Sequence, residues 1–294
     1  MNNELVVYID GAYYPKSQAK VSVYDHGLLY GDGVFEGIRA YNGVVFKLKE
    51  HVDRLYRSAH SIMLKIPLTK EEIIQAVIET LRKNKLKDAY IRLVVTRGVG
   101  DLGLDPRKCP KASVIIITDT ISLHVTGAKE NGITTMFSWV RRNPVDATTH
   151  EIKSLNYLNS VLAKIEANAN GVDEAICLES NGYIAEGVGE NIFIVKDDKI
   201  LTPPTSTGAL AGITAEVVVK LAAELGYEVT VTNLTPFMLF TADEAFFTGT
   251  AMEMVPIREV NKRQIGTGKP GPVTKKLMAA FQTVIEDRTQ GIQI

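Results

Sequence analysis

Residues 174–202 read EAICLESNGYIAEGVGENIFIVKDDKILT. The β-rich runs Glu174–Glu179 and Tyr183–Glu186 flank Asn181-Gly182, and Asn191–Val195 and Lys199–Thr202 flank Asp197-Asp198. Such pairs tolerate the positive φ values of tight hairpin turns. Two hairpins in succession predict antiparallel ladders, because a parallel pair needs a crossover of roughly a dozen residues. The signature recurs upstream. Leu5–Ile9 and Ala12–Tyr14 surround Asp10-Gly11, and Phe35–Tyr41 and Val44–Leu48 surround Asn42-Gly43.

Helical patterns lie between the hairpins. His51–Met63 puts Val52, Leu55, Tyr56, Ala59, Ile62 and Met63 on one face. Thr69-Lys70-Glu71-Glu72 is a capping box that opens a helix reaching about Asn84. Asn156–Asn168 carries apolar Leu158, Val161, Leu162 and Ile165, and Thr214–Leu225 carries Val217, Val218, Leu221, Ala222 and Leu225. Gly271–Glu286 is the last helix. Ala89–Thr96, Ala112–Thr118, Ile133–Val140, Tyr227–Thr232, Glu244–Thr248 and Met254–Ile257 read as strands, and Gly98–Pro110 as a loop. Hairpins mixed with helices predict an α+β protein with mostly antiparallel sheets and flanking helices, not a doubly wound parallel sheet. The polar stretch Asp119–Lys129 predicts two domains: a small one over 1–118, a linker over 119–128 and a larger one over 129–294.

The chain has 294 residues, 45% apolar and 23% charged, enough to bury a full core. Lys plus Arg number 33 and Asp plus Glu 34, a net charge of −1 that gives no general attraction to nucleic acid or anionic lipid. Cys109 and Cys177 form neither a disulfide framework nor a zinc motif, and no histidine pair has HExxH spacing. The start, Met-Asn-Asn-Glu, carries no signal-peptide pattern, and no apolar run approaches the ~20 residues of a membrane span. A cytoplasmic protein is expected.

Several segments offer chemistry without deciding it. Gly212-Ile213-Thr214 opens a helix, either as a capped turn or as a set of amides facing an anion. Glu186-Gly187-Val188-Gly189-Glu190-Asn191 bears two carboxylates that read as turn residues, solvated or capping backbone groups, or as an acid–base pair of glycosidase type. Gly249-Thr250-Ala251 follows a strand and offers exposed amides. Tyr90 and Arg92 share one face of a strand, where the guanidinium calls for an internal carboxylate or a ligand. Arg54, on a helix, reads by default as a surface salt bridge, and Lys153 is one lysine among many.

Taken in order, these segments are specific. From Val21 to Phe281 the chain resembles the branched-chain amino acid aminotransferases of fold-type IV, the D-amino acid aminotransferase-like class of pyridoxal-phosphate enzymes. The resemblance is carried by Tyr30-Gly31-Asp32-Gly33-Val34-Phe35-Glu36-Gly37-Ile38-Arg39, Tyr90-Ile91-Arg92 and Lys153-Ser154-Leu155-Asn156-Tyr157. Glu186–Phe193, Gly212-Ile213-Thr214 and Gly249-Thr250-Ala251-Met252-Glu253 complete it. It implies pyridoxal 5'-phosphate held as a Schiff base on Lys153, an amine that must give up its proton readily. It implies Glu186 at the ring nitrogen, Tyr157 at the phenolic oxygen, and Arg54, the Ile213 and Thr214 amides and Thr250 at the phosphate. Gly189, Glu190, Asn191, Leu210, Gly212 and Gly249 complete the cofactor site. For the substrate it implies Tyr90 and the Thr250 and Ala251 amides at the α-carboxylate, and Arg92 and Tyr30 at the distal carboxylate of glutamate or 2-oxoglutarate. Phe35, Gly37 and Arg39 complete the pocket with Leu102 and Leu104, which a neighbouring subunit supplies, so a homodimer is implied.

The chain departs from the family in two places. Ile121-Ser122-Leu123-His124 lacks the aromatic residues often found in the interdomain loop, and Lys153 and Tyr157 stand one residue closer than in members with a Gly-Gly insertion. The expected activity moves the amino group of leucine, isoleucine or valine to 2-oxoglutarate in a ping-pong cycle. The alternatives are a D-amino acid aminotransferase, an aminodeoxychorismate lyase, or a non-catalytic binding protein on the same fold. A glycosidase built on Glu186 and Glu190 is more distant, since Trp139 is the only tryptophan available for sugar stacking.

Overall fold

The structure is a computed structural model that describes residues 4–120 and 127–294. Ile121-Ser122-Leu123-His124 and the middle of the expected linker lie outside the described residues. The chain forms two compact units, one comprising Met1–Ser122, Ile152–Asn156 and Ile285–Ile294, the other Leu123–Glu151 and Tyr157–Val284.

The first unit contains β1 (Val6–Ile9), β2 (Ala12–Pro15), α1 (His26–Tyr30), β3 (Gly33–Tyr41), β4 (Val44–Phe46), α2 (Leu48–Ser61), α3 (Lys70–Asn84), β5 (Ala89–Thr96) and β6 (Ser113–Asp119). With the C-terminal strand Gly291–Gln293, these strands make a seven-stranded sheet in which every pairing is antiparallel. The turns follow the sequence: Asp10 and Gly11 have φ of 51° and 94°, and Asn42 and Gly43 have 49° and 81°. At Thr69 the capping box is complete in both directions, which satisfies two orphan amides of α3. α2 starts at Leu48, a turn earlier than its apolar pattern indicated. Alternation on β3 and β5 sends Val34, Ile38, Ala40, Ile91, Leu93 and Val95 into the core with Leu55, Ile73, Val77 and Leu81 of the helices.

Two stretches expected in the larger C-terminal domain belong to this unit instead. Ser154 bridges Val34, Phe35 N–H donates to the Lys153 carbonyl, and Leu155 N–H donates to the Gly33 carbonyl, so residues 153–155 extend the β3 edge. Gly291–Gln293 pairs with β4. Both are long-range edge pairings, which no local pattern encodes.

The second unit runs α4 (Ala128–Asn131), β7 (Ile133–Phe137), α5 (Leu158–Ala169), β8 (Glu174–Leu178), β9 (Ile184–Gly187), β10 (Asn191–Lys196) and β11 (Lys199–Thr202). It continues with α6 (Ile213–Glu224), β12 (Val229–Val231), α7 (Pro236–Phe240), β13 (Glu244–Gly249), β14 (Glu253–Val260), β15 (Arg263–Gln264) and α8 (Pro272–Glu286), whose last two residues fall in the first unit. Its sheet order is β12-β11-β10-β13-β14-β7-β8-β9, with β15 on β14. The Asp197-Asp198 turn forms as expected, both residues at positive φ. The Asn181-Gly182 turn is longer than a two-residue hairpin, because Glu179 N–H donates to the Tyr183 carbonyl while the Glu179 side chain accepts from Tyr183 N–H. Three pairings are parallel: β7 with β8, β7 with β14, and β11 with β12. In two of them a helix makes the crossover, α5 between β7 and β8 and α6 between β11 and β12.

α5 forms close to its expected place but turns an unexpected face inward. Ser160, Ala163 and Ala167 are buried, the two alanines against Ala175 and Cys177 of β8, while Leu158, Val161, Leu162 and Ile165 are exposed, Leu158 at 68%. Small residues let the helix lie close on the sheet and leave the bulky stripe outside.

Candidate active site

In the first unit, Phe35, Gly37 and Arg39 of β3 register opposite Val94, Arg92 and Tyr90 of β5. Successive side chains alternate, so these residues share the face opposite the core. The expectation that Tyr90 and Arg92 lie together therefore holds. The Arg92 guanidinium carbon is 4.4 Å from the Phe35 ring centroid and 5.6 Å from that of Tyr90, while Arg39 lies over Tyr41 at 4.8 Å. A Cβ at Gly37 would overlap the Tyr90 hydroxyl, so the missing side chain is what lets that phenol lie across β3. Lys153 Nζ lies 4.7 Å from the Phe35 centroid, its backbone N–H donating to Ser58 Oγ at 3.2 Å.

Beneath this face is a buried charge cluster that the sequence reading passed over. Glu36 is fully buried on the core side of β3 and accepts from Arg54 Nε and Nη2, each at 2.7 Å, and lies 2.8 Å from His51 Nδ1. Arg54 is thus a buried residue, not a surface salt bridge, and its Nε/Nη2 edge is committed to Glu36. Burial pushes the Glu36 carboxyl up, but Arg54 and His51 outweigh it and hold it at about 2. A depressed carboxyl contributes stability above its ordinary value of 4.5 and loses it as pH falls toward 2. Glu36→Gln leaves Arg54 buried without its anion and is expected to cost roughly 3–5 kcal/mol at neutral pH. In urea titrations the gap between wild type and variant should narrow between pH 4.5 and 3; a gap that stays constant contradicts the assignment.

α1 and the Gly98–Pro110 loop form one piece. Tyr30 Oη donates to the Leu102 carbonyl at 2.5 Å, and His26 Nε2 lies 2.8 Å from the Asp101 carbonyl. Leu102 and Leu104 project outward, as do Val23 and Leu28. Tyr30 is therefore tied to the loop bearing Leu102.

In the second unit, Glu186 sits on β9 at 3% exposure. Its Oε2 accepts from Leu210 N–H at 2.9 Å, and its Oε1 is 3.2 Å from Arg142 Nε and 3.4 Å from His150 Nδ1. Burial alone would push its carboxyl up, but the Arg142 guanidinium, with His150 and the Leu210 amide, outweighs burial and lowers it. Glu190 is the reverse: burial and then Glu174 push its carboxyl up to about 8, while its Oε2 accepts from Gly189 N–H. The two carboxylates are thus unequal, with Glu186 the anion. Both cap backbone amides, as the turn reading allows: Glu186 takes Leu210 N–H and the half-buried Glu190 takes Gly189 N–H.

The segment leading to α6 is tied to this anion. Asn191 Nδ2 donates to the Leu210 carbonyl at 2.7 Å, and a Cβ on Gly212 would overlap Asn191 Oδ1. Gly212 is the N-cap of α6, and no side chain among the described residues caps the helix, whose first residues Ile213 and Thr214 are buried. Thr248 of β13 pairs with Asn191, and Gly249 pairs with Glu253 across the turn bearing Thr250 and Ala251. Tyr157 is the N-cap residue of α5, its ring stacked on His150 at 5.5 Å and 24°. Arg142 and His150, like Glu36 and His51, were missed. Glu36 alone left a signal: a carboxylate in the core register of an apolar strand requires a buried cation.

The family signature described as Amino-transferase class IV matches residues 33–260. A protein of Methanocaldococcus jannaschii is 57% identical over 278 residues, 95% of this chain and 96% of that one. The crystal structure of the Escherichia coli branched-chain amino acid aminotransferase superposes with a TM-score of 0.94 at 39% identity, over 96% of this chain and 95% of that one. The branched-chain amino acid aminotransferase of Thermobaculum terrenum, in its PLP form, superposes at 0.88 with 30% identity, over 98% of this chain and 96% of that one. The fold-type IV resemblance read from the motifs is thereby met in both sequence and architecture, and the chain belongs to the class IV aminotransferases.

Proposed function

We propose that the chain is a branched-chain amino acid aminotransferase that passes the amino group of leucine, isoleucine or valine to 2-oxoglutarate through pyridoxal 5'-phosphate. The observation that carries this reading is Glu186, a buried anion joined through Leu210 to the uncapped start of α6. The donor set fits such a cofactor. Glu186 answers a cationic ring nitrogen, the α6 amides answer a phosphate, and the buried His150 Nε2 and Thr248 Oγ1 have no hydrogen-bond partner among the described residues. When bound, the cofactor supplies an electron-accepting ring beside the amino acid's Cα.

In this reading Lys153 Nζ would hold the cofactor covalently and would move a proton at the amino acid's Cα. Glu186 holds the proton on the ring nitrogen, and Tyr157 donates to the ring's phenolic oxygen. The Ile213 and Thr214 amides, Thr250 and Arg54 hold the phosphate, while Gly189, Glu190, Asn191, Gly212 and Gly249 shape the turns around it. Tyr90 and the Thr250 and Ala251 amides take the α-carboxylate. Phe35 and Gly37 make the apolar wall, Arg39 completes the pocket, and Arg92 and Tyr30 take the distal carboxylate of glutamate. One wall serves the aliphatic chain, and the guanidinium is reached only by the longer acidic one.

Leu102 and Leu104 are assigned to a second copy's pocket. The exposed apolar stripe of α5 and the exposed α1–loop piece support a homodimer. Sedimentation should find a dimer or larger assembly, and a monomer at micromolar concentration contradicts it. No helix among the described residues is long and apolar enough to cross a membrane. Both cysteines are unpaired, which supports the cytoplasm as the working compartment.

The test is an amino-transfer assay with L-leucine, L-isoleucine or L-valine and 2-oxoglutarate. Glutamate formation supports the reading. Preference for D-amino acids, or release of pyruvate from aminodeoxychorismate without an acceptor, contradicts it in favour of the related activities. Gly37→Ala displaces the Tyr90 phenol, a movable side-chain end, so it should raise KM about tenfold with little change in melting temperature. An unaltered KM would remove Tyr90 from the pocket.

A further inference from the structure

We infer that His150 is a positioning residue for the reaction, acting through Glu186; this rests on the cofactor reading above. His150 is 7% exposed and stands between two assigned cofactor contacts. Its Nδ1 lies 3.4 Å from Glu186 Oε1, and its ring stacks on Tyr157. One imidazole therefore touches both the acid assigned to the ring nitrogen and the phenol assigned to the ring oxygen.

The surroundings leave Glu186 few other ways to be oriented. Leu210 N–H holds Oε2. Oε1 faces Arg142, which is almost fully buried, and His150. Arg142 supplies charge but little direction, because its Nε makes no hydrogen bond among the described residues. Its other donors are spent on Asn159 Oδ1 at 3.0 Å, Ser160 Oγ at 3.1 Å and the Gly187 carbonyl. These bonds fix the start of α5, and so the residue before it, Tyr157. The other group facing Oε1 is His150 Nδ1, at 3.4 Å. Its Nε2 is buried with no hydrogen-bond partner among the described residues. A buried nitrogen left so is costly, which is difficult to account for if the ring serves packing alone. Burial raises and Arg142, then His150, lower the Glu186 carboxyl, in keeping with this arrangement.

Two substitutions separate the roles of the ring. His150→Phe keeps the stack on Tyr157 and removes the donor, whereas His150→Asn places an amide N–H near the Nδ1 position and removes the stack. Apo protein is titrated with pyridoxal 5'-phosphate, and Kd is read from the cofactor's absorbance. H150F should weaken binding about tenfold, in the range seen when a partner behind a ligand is removed, and H150N should restore most of the loss. In an E186Q background, H150F should add nothing further, because its effect passes through that carboxylate. Wild-type binding in H150F, a larger loss in H150N than in H150F, or additive losses with E186Q would each overturn the inference. A wild-type protein that takes up no pyridoxal 5'-phosphate overturns the cofactor reading itself. Uptake by wild type with an unaltered H150F overturns only the role of His150.

Discussion

Lys153→Ala is expected to lower turnover of the leucine/2-oxoglutarate pair by roughly ten-thousandfold, the upper range for losing a general acid–base group. The proposed role uses Nζ twice, to carry the cofactor and to move the proton. The fold should survive. The Lys153 carbonyl accepts from Phe35 N–H and its amide donates to Ser58 Oγ, so the bonds that dock residues 153–155 on β3 belong to the backbone. Steady-state glutamate production measures the loss, and a melting temperature close to wild type shows that the loss is chemical. Partial recovery on adding a small primary amine would support the proton-carrying role. Retained turnover in the variant would remove Lys153 from the mechanism.

Glu186→Gln is expected to produce the second largest effect, in two separable parts. The amide can still accept from Leu210 N–H, but its charge is gone. Losing one preorganised electrostatic contact typically lowers kcat about a hundred- to a thousandfold. Stability should fall as well, because Arg142 then lies buried without its anion, a change worth roughly 3–5 kcal/mol. The pH dependence gives the sign. A lowered carboxyl contributes stability above its ordinary value of 4.5 and loses it as pH falls below. The stability gap between wild type and variant should therefore be full at pH 7 and shrink in acid. A variant equal to wild type in both turnover and urea midpoint would show that the buried anion serves neither purpose.

The sequence was most informative where local geometry is decided by two residues. Asp10-Gly11, Asn42-Gly43 and Asp197-Asp198 all adopt positive φ and close hairpins, and Thr69 with Glu72 starts α3 where the capping box indicated. It was least informative where partners are distant in sequence. The pairing of 153–155 with β3 and of Gly291–Gln293 with β4 joins edges that carry no mark of each other. α5 shows why an apolar stripe alone misleads. Leu158, Val161, Leu162 and Ile165 have helical spacing, yet Ala163 and Ala167 make the contact with β8.

The candidate site was legible as an ordered set of motifs, not as geometry. Tyr90, Arg92, Phe35 and Gly37 share a face because strand alternation and register put them there. Glu186 and Glu190 look alike in the string, and their environments separate them, one beside a guanidinium and the other beside Glu174. Arg142 and His150 could not be found from spacing, since they reach Glu186 from 44 and 36 residues away along the chain. Glu36 could have been found, because its neighbours in register, Val34 and Ile38, are core residues and Arg54 and His51 lie three apart on the next helix.

The central claim is that pyridoxal 5'-phosphate is carried by the amine of Lys153. Borohydride reduction of the holoprotein, proteolysis and mass spectrometry of the peptides test it in one step. The account predicts a phosphopyridoxyl adduct on Lys153, absent when L-leucine is added in excess before reduction. An adduct on another lysine, or none on a protein that still transfers amino groups, would contradict it.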